Sequence, residues 1–322
     1  MIKDIHSAGL NVVDLEASIA FYCTGDAYEL VEYFDISNDG ETQAAFGLAN
    51  PEGKGALLRG HAGFLELVQF DDSNIPSKDC RGVYDAGLRH ICIRTRDANA
   101  LFDQLKEAGS GWHARPRGLG TGIDYAYIRD PEGNLLELEG LPMMPPGAMK
   151  PWFDHAAIVT HDIERLAAFY EMLTGYDVIK RESYGPEAKF DAVAGVEGIV
   201  FDGAWILFGL SRLEMWHYQN PKTSAKQAHS PNERGWGHLC LEVDDLDAEY
   251  ERLTKAGVEF LGAIRTSNMG RSVFLRDTDG NLIKLLQISK TRPELCVENL
   301  SARPILKMVR DVGEKPRKGQ PS

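Results

Sequence analysis

The sequence predicts an α+β fold built from four βαβββ modules, on three observations. The first is a repeat of fixed offset: NVVDLEASIAFY (11–22) returns as VTHDIERLAAFY (159–170), so that Asp14, Phe21 and Tyr22 each have a counterpart 148 positions on, in Asp162, Phe169 and Tyr170. The same offset relates RHICIRTRDANALFDQLKEAG (89–109) to GHLCLEVDDLDAEYERLTKAG (237–257), matching His90 with His238, Asp97 with Asp245 and Gly109 with Gly257. The second is that an alternating apolar run passes through an Asp into an amphipathic helix. The third is a tight turn, DPEGN (130–134) or DTDGN (277–281), that leads into a closing apolar strand.

These signals place the modules at 1–70, 85–141, 151–220 and 235–290. In the helix after Asp97, Leu101, Phe102 and Leu105 fall on one side and Lys106 and Glu107 on the other, with Gly109 as the stop. Between the halves, LPMMPPGAMKP (141–151) reads as a linker. The expected organisation is therefore a first domain at 1–141, a linker at 142–150, a second domain at 151–290 and a tail at 291–322, whose Lys307 to Lys318 stretch reads as a solvated terminus.

Composition narrows the class. A chain of 322 residues with 43% hydrophobic and 26% charged residues can bury two ordinary cores, and it has no apolar run of the roughly 20 residues a membrane span needs. The N-terminus has no basic start followed by an apolar stretch, so a cytoplasmic protein is expected. A net charge of −13 argues against nucleic-acid or membrane-surface partners. The expected partner is a small molecule, bound by a monomer or homodimer. The cysteines Cys23, Cys80, Cys92, Cys240 and Cys296 are scattered without CxxC spacing, and read as reduced and mostly buried.

This order of elements resembles the vicinal oxygen chelate superfamily, which includes glyoxalase I, extradiol dioxygenases, epimerases and bleomycin or fosfomycin resistance proteins. The resemblance covers nearly all of the chain before the last 30 or so residues. It implies paired modules whose curved sheets enclose cavities, each module giving one ligand from its first strand and one from its last to a divalent ion (Zn, Ni, Co, Mn or Fe). The family's first-strand ligand lies seven residues before the helix-starting Asp, which points to His90, His155 and His238, and in the first module to Ser7. His6, one place early, faces the other side of a regular strand and reads as structural or exposed, unless a bulge re-aims it.

The last-strand positions are Glu66, Glu137, Glu214 and Lys284, the last unable to bind a metal while protonated. Pairing within halves would leave one defect in each cavity. Pairing across halves, favoured by economy, would unite His90, Glu137, His155 and Glu214 and collect both defects in the other cavity. The resemblance implies lyase, isomerase or epimerase chemistry through a metal-chelated enediolate of a substrate with adjacent oxygens, with Glu137 or Glu214 as base. Fe(II) ring-cleaving dioxygenase chemistry and metal-free, resistance-type binding are the alternatives. Trp216 and Tyr218 share a strand face with Glu214 and read either as core, the commoner role of strand aromatics, or as an aromatic wall. His113, Arg115, Arg117, Tyr125 and Tyr127 lie in one segment whose arginines read equally as a carboxylate clamp or as solvated surface, while His161, His217 and His229 read as polar surface.

Overall fold

A computed structural model describes residues 1–37, 39–49, 51–71, 81–144, 150–223 and 230–307. The first module runs β1 (Ile2–Asn11), α1 (Leu15–Tyr22), β2 (Tyr28–Ile36), α2 (Gly40–Phe46), β3 (Gly53–Gly60) and β4 (Phe64–Phe70). The second runs β5 (Gly87–Thr95), α3 (Ala98–Glu107), two short pieces β6 (Gly111–Trp112) and β7 (Arg117–Gly118), β8 (Asp124–Arg129) and β9 (Leu135–Gly140). The third runs β10 (Trp152–Val159), α4 (Ile163–Thr174), β11 (Val178–Tyr184), α5 (Ala188–Ala194), β12 (Val200–Phe208) and β13 (Ser211–Asn220). The fourth runs β14 (Gly235–Val243), α6 (Leu246–Lys255), β15 (Phe260–Thr266), β16 (Gly270–Arg276) and β17 (Leu282–Ile288).

The repeated Asp has a local cause. Asp14, Asp97, Asp162 and Asp245 are the N-caps of α1, α3, α4 and α6, each side chain accepting a hydrogen bond from the backbone N–H three residues on, at 3.0–3.1 Å. Leu101, Phe102 and Leu105 are buried, as the periodicity predicts. The short helices α2 and α5, which carry no strong period in the sequence, interrupt the odd modules between their second and third strands.

Two sheets result, and each draws on both halves of the chain. One has the order β15-β16-β17-β14-β1-β4-β3-β2, and the other β11-β12-β13-β10-β5-β9-β8-β6, with β7 beside β8. Modules one and four thus share a sheet through the antiparallel pair β1–β14, and modules two and three through β5–β10. The segments 1–141 and 151–290 are repeats in sequence, while the sheets are assembled across them.

Residues 291–307 are not a free tail. Leu295, Val297 and Leu300 are buried against Leu57, Phe64 and Leu286, and Arg303 is buried with its guanidinium on Asp4 and on the carbonyl of Ala62. The apolar side chains of ELCVENL are what tie this segment down. The remainder of the basic stretch lies outside the described residues, as does Cys80. Cys92 and Cys240 are buried, and Cys23 and Cys296 are half-buried thiols. No described helix is long and apolar enough to cross a membrane.

Candidate metal centre

The site forms where β5 and β10 cross-pair. In the strand register Ala157 lies opposite both His90 and Glu214, and Cys92 opposite both His155 and Glu137. Each candidate ligand therefore lies opposite a small residue on the neighbouring strand, and the arrangement repeats about a local two-fold axis. Side chains alternate along each strand, so all four point to one face. His90, Glu137, His155 and Glu214 are all buried, with one potential ligand atom from each within 4.8 Å of every other. His155 Nε2 lies 2.9 Å from Glu137 Oε2 and 3.4 Å from Glu214 Oε2.

The cluster fits a divalent cation on its own chemistry. His90 Nε2 is buried 3.5 Å from Glu137 Oε2 and makes no hydrogen bond among the described residues. A buried imidazole nitrogen left in that state costs free energy that a metal–ligand bond would recover. Two imidazoles and two carboxylates are a donor set suited to first-row divalent ions. Burial works against the Glu137 carboxylate, but the two imidazoles beside it more than offset this and hold it well below the usual range. Burial likewise disfavours the His155 imidazolium, and the Glu214 carboxylate, with Asp154, raises it well above an ordinary histidine.

Behind the site stands a charged network that the sequence reasoning missed. Asp154 Oδ2 lies 3.1 Å from His155 Nδ1, which turns the opposite ring nitrogen toward the cluster. Burial opposes the Asp154 charge, and Arg212 and Arg94 overcome it, holding the carboxyl well below its usual range. Glu139 completes the network, paired with Arg94 and 3.7 Å from Arg212. The available signal was the acidic residue immediately preceding a candidate ligand histidine. A second grouping of Cys92, Glu137, Glu139 and His155 shares two members with the main cluster and is part of the same buried patch.

The other sheet places Ser7, Glu66, His238 and Lys284 in the same register, with Gly9 opposite His238 and Glu66, and Cys240 opposite Ser7 and Lys284. Here the cation is a side chain. Lys284 Nζ donates to both Glu66 oxygens at 3.1 and 2.9 Å, Ser7 Oγ donates to Glu66 Oε1 at 2.6 Å, and His238 Nε2 sits 3.5 Å from Oε2. Burial opposes the Lys284 charge, and Glu66 keeps it protonated. His6 is fully buried, correcting the exposed reading: it stacks on Phe64 with ring centroids 4.6 Å apart, and its nitrogens meet Ser7 Oγ and the Leu295 carbonyl. A register shift does occur between Ile5 and Ser7, but the same shift lies between Phe153 and His155, so His6 stays in the position that Asp154 holds in the third module.

Of the other candidates, Tyr125, Tyr127, Trp216 and Tyr218 line a cavity of about 430 Å³ that also includes Glu137 and Glu214. Arg115 instead pairs at the surface with Asp103, at 2.7 Å to each oxygen; His113 and Arg117 are exposed and do not line it. His161 and His217 are partly exposed and sit 4.0 and 3.7 Å from Asp279 and Asp202. His229 lies outside the described residues.

Residues 4–138 and 152–285 each match the family model described as the Glyoxalase/Bleomycin resistance protein/Dioxygenase superfamily. The chain belongs to that superfamily. Within it, the chain is 25% identical over 299 residues to a lactoylglutathione lyase of Schizosaccharomyces pombe, covering 86% of this chain and 94% of that protein. It is 29% identical over 147 residues to a lactoylglutathione lyase of Pseudomonas aeruginosa, covering 42% of this chain and 82% of that protein. The fold of this superfamily member is similar to glyoxalase I from Zea mays, with a TM-score of 0.63 at 17% identity, covering 91% of this chain and 95% of that one.

Proposed function

We propose that the protein is a divalent-metal-dependent lyase or isomerase of the glyoxalase type, acting on a small molecule with adjacent oxygens at the centre formed by His90, Glu137, His155 and Glu214. The observation that carries this reading is the buried convergence of two imidazoles and two carboxylates around a His90 nitrogen without a hydrogen-bond partner. The full-length similarity to a lactoylglutathione lyase supports the lyase class. A divalent ion held there would supply positive charge to two neighbouring substrate oxygens. Glu137 and Glu214 then serve as the proton-handling groups, because both line the cavity and either can take a proton from carbon beside a carbonyl. Asp154 fixes the His155 ring from behind, and aromatic side chains make up much of the cavity wall. Ring cleavage on iron is disfavoured, since that chemistry uses two histidines and one carboxylate, and a second glutamate bound to the ion would compete with dioxygen.

The test is metal analysis of protein purified without chelator, combined with exchange of the α-proton of an α-hydroxyketone into deuterated water. About one ion per chain is expected, with exchange abolished in Glu137→Gln or in Glu214→Gln; below about a tenth of an equivalent, the metalloenzyme reading fails.

A further inference from the structure

The wall of the cavity speaks to the substrate. Tyr184, Phe190, Phe201, Trp205, Trp216 and Tyr218 line one side of it. Their rings form a continuous surface: Phe201 lies 5.2 Å from both Trp216 and Tyr218, Trp205 lies 5.1 Å from Trp216, and Tyr184 stacks on Phe201 at 5.1 Å and 24°. Strand geometry makes this surface. Phe201 and Trp205 alternate on β12 around Gly203, where an added Cβ would come within 2.5 Å of the Trp205 ring and 2.7 Å of Trp216. Tyr184, Phe201 and Trp216 are only partly buried, so their faces are presented to the cavity as well as to one another.

Away from the candidate metal centre, the charges on the same walls do not favour an anionic group. The cations that line the cavity among the described residues already have acidic partners: Lys180 is 2.9 Å from Glu182, Lys189 is 3.0 Å from Glu187, and Arg212 is held by Asp154. The two lysines also sit over Trp205 and Phe190, at 4.8 and 4.9 Å from the ring centres. Glu137, Glu139 and Glu214 add negative charge to the lining. A carboxylate entering this space would lose its water without gaining an unpaired cation, whereas a neutral ring would exchange water for aromatic surface.

We infer that the substrate is a neutral aromatic compound with its adjacent oxygens beside the ring, such as an aryl α-oxo compound, rather than a charged peptide conjugate. The oxygen pair rests on the metal centre proposed above; the aromatic, uncharged character rests on the wall alone. The experiment measures tryptophan quenching by benzohydroxamate and acetohydroxamate in nickel-loaded protein, and by acetophenone in protein stripped with chelator. Benzohydroxamate is expected to bind at least about tenfold more tightly than acetohydroxamate, and Phe201→Ala or Tyr184→Ala to reduce the ratio below about threefold. Acetophenone is expected to quench with no metal present. Equal affinity of the two hydroxamates, tighter binding of S-hexylglutathione than of benzohydroxamate, or no response to acetophenone would overturn the inference. Failure of both hydroxamates with acetophenone still binding would remove the metal centre and leave the aromatic site standing.

Discussion

At the scale of single residues, the two sheets carry the same problem with different solutions. A buried glutamate needs a cation: Glu66 has the ammonium of Lys284, while Glu137 and Glu214 have imidazoles and room for an ion. Removing Lys284 leaves the Glu66 charge uncompensated, so Lys284→Met is expected to destabilise the fold by about 3–5 kcal/mol in urea unfolding. A loss below about 1 kcal/mol would contradict the role given to the lysine. His155 illustrates the opposite case. Its raised pKa means that an entering metal must displace a proton, so apparent metal affinity is expected to rise by up to about tenfold per pH unit while that proton is bound. A flat titration between pH 6 and 8 would count against it. His6 supplies a stability term of known sign. Burial lowers it to about 4, so the fold is favoured above the unfolded-state value near 6.5 and loses roughly 3 kcal/mol as pH falls from there through 4. His6→Phe should flatten that stretch of the stability–pH curve.

At the scale of elements, a buried clip joins the modules of each half. Tyr22 of α1 donates to Asp130 Oδ2 at 2.9 Å, and Asn134 holds the same carboxylate through its side chain at 2.7 Å and its backbone N–H at 2.8 Å. Tyr170, Asp277 and Asn281 repeat the arrangement. Tyr22→Phe and Tyr170→Phe are each expected to cost about 1.5–3 kcal/mol by chemical denaturation, and changes within experimental error would show the clip to be incidental. This explains why Tyr22 and the DPEGN turn were visible as repeats at all: both ends of one contact recur together. The histidine positions were legible through the family resemblance, in which the first-strand ligand lies seven residues before the helix-capping Asp, and the same count places Ser7 rather than His6 in the first module. The aromatic surface and the Asp154 network were less legible. Phe201, Trp205 and Tyr184 come from two strands flanking the unanticipated helix α5, and Asp154 and Arg94 meet only once β5 and β10 pair.

At the scale of the whole molecule, the strand order makes the halves interdependent. Residues 1–141 alone would expose the edges of β1 and β5 that β14 and β10 cover, so that fragment is expected to dimerise or aggregate in gel filtration, and to combine with 151–307 when mixed. The cross-pairing also gathers both departures from the ligand pattern, Ser7 and Lys284, into one sheet and leaves the other with a complete donor set. One metal centre per chain is therefore the central claim, and it is tested by the metal content of His155→Ala and His238→Ala, each shown to be folded by circular dichroism. His155→Ala is expected to retain less than about a tenth of an equivalent while His238→Ala keeps about one; loss of metal in His238→Ala with full retention in His155→Ala would contradict the account.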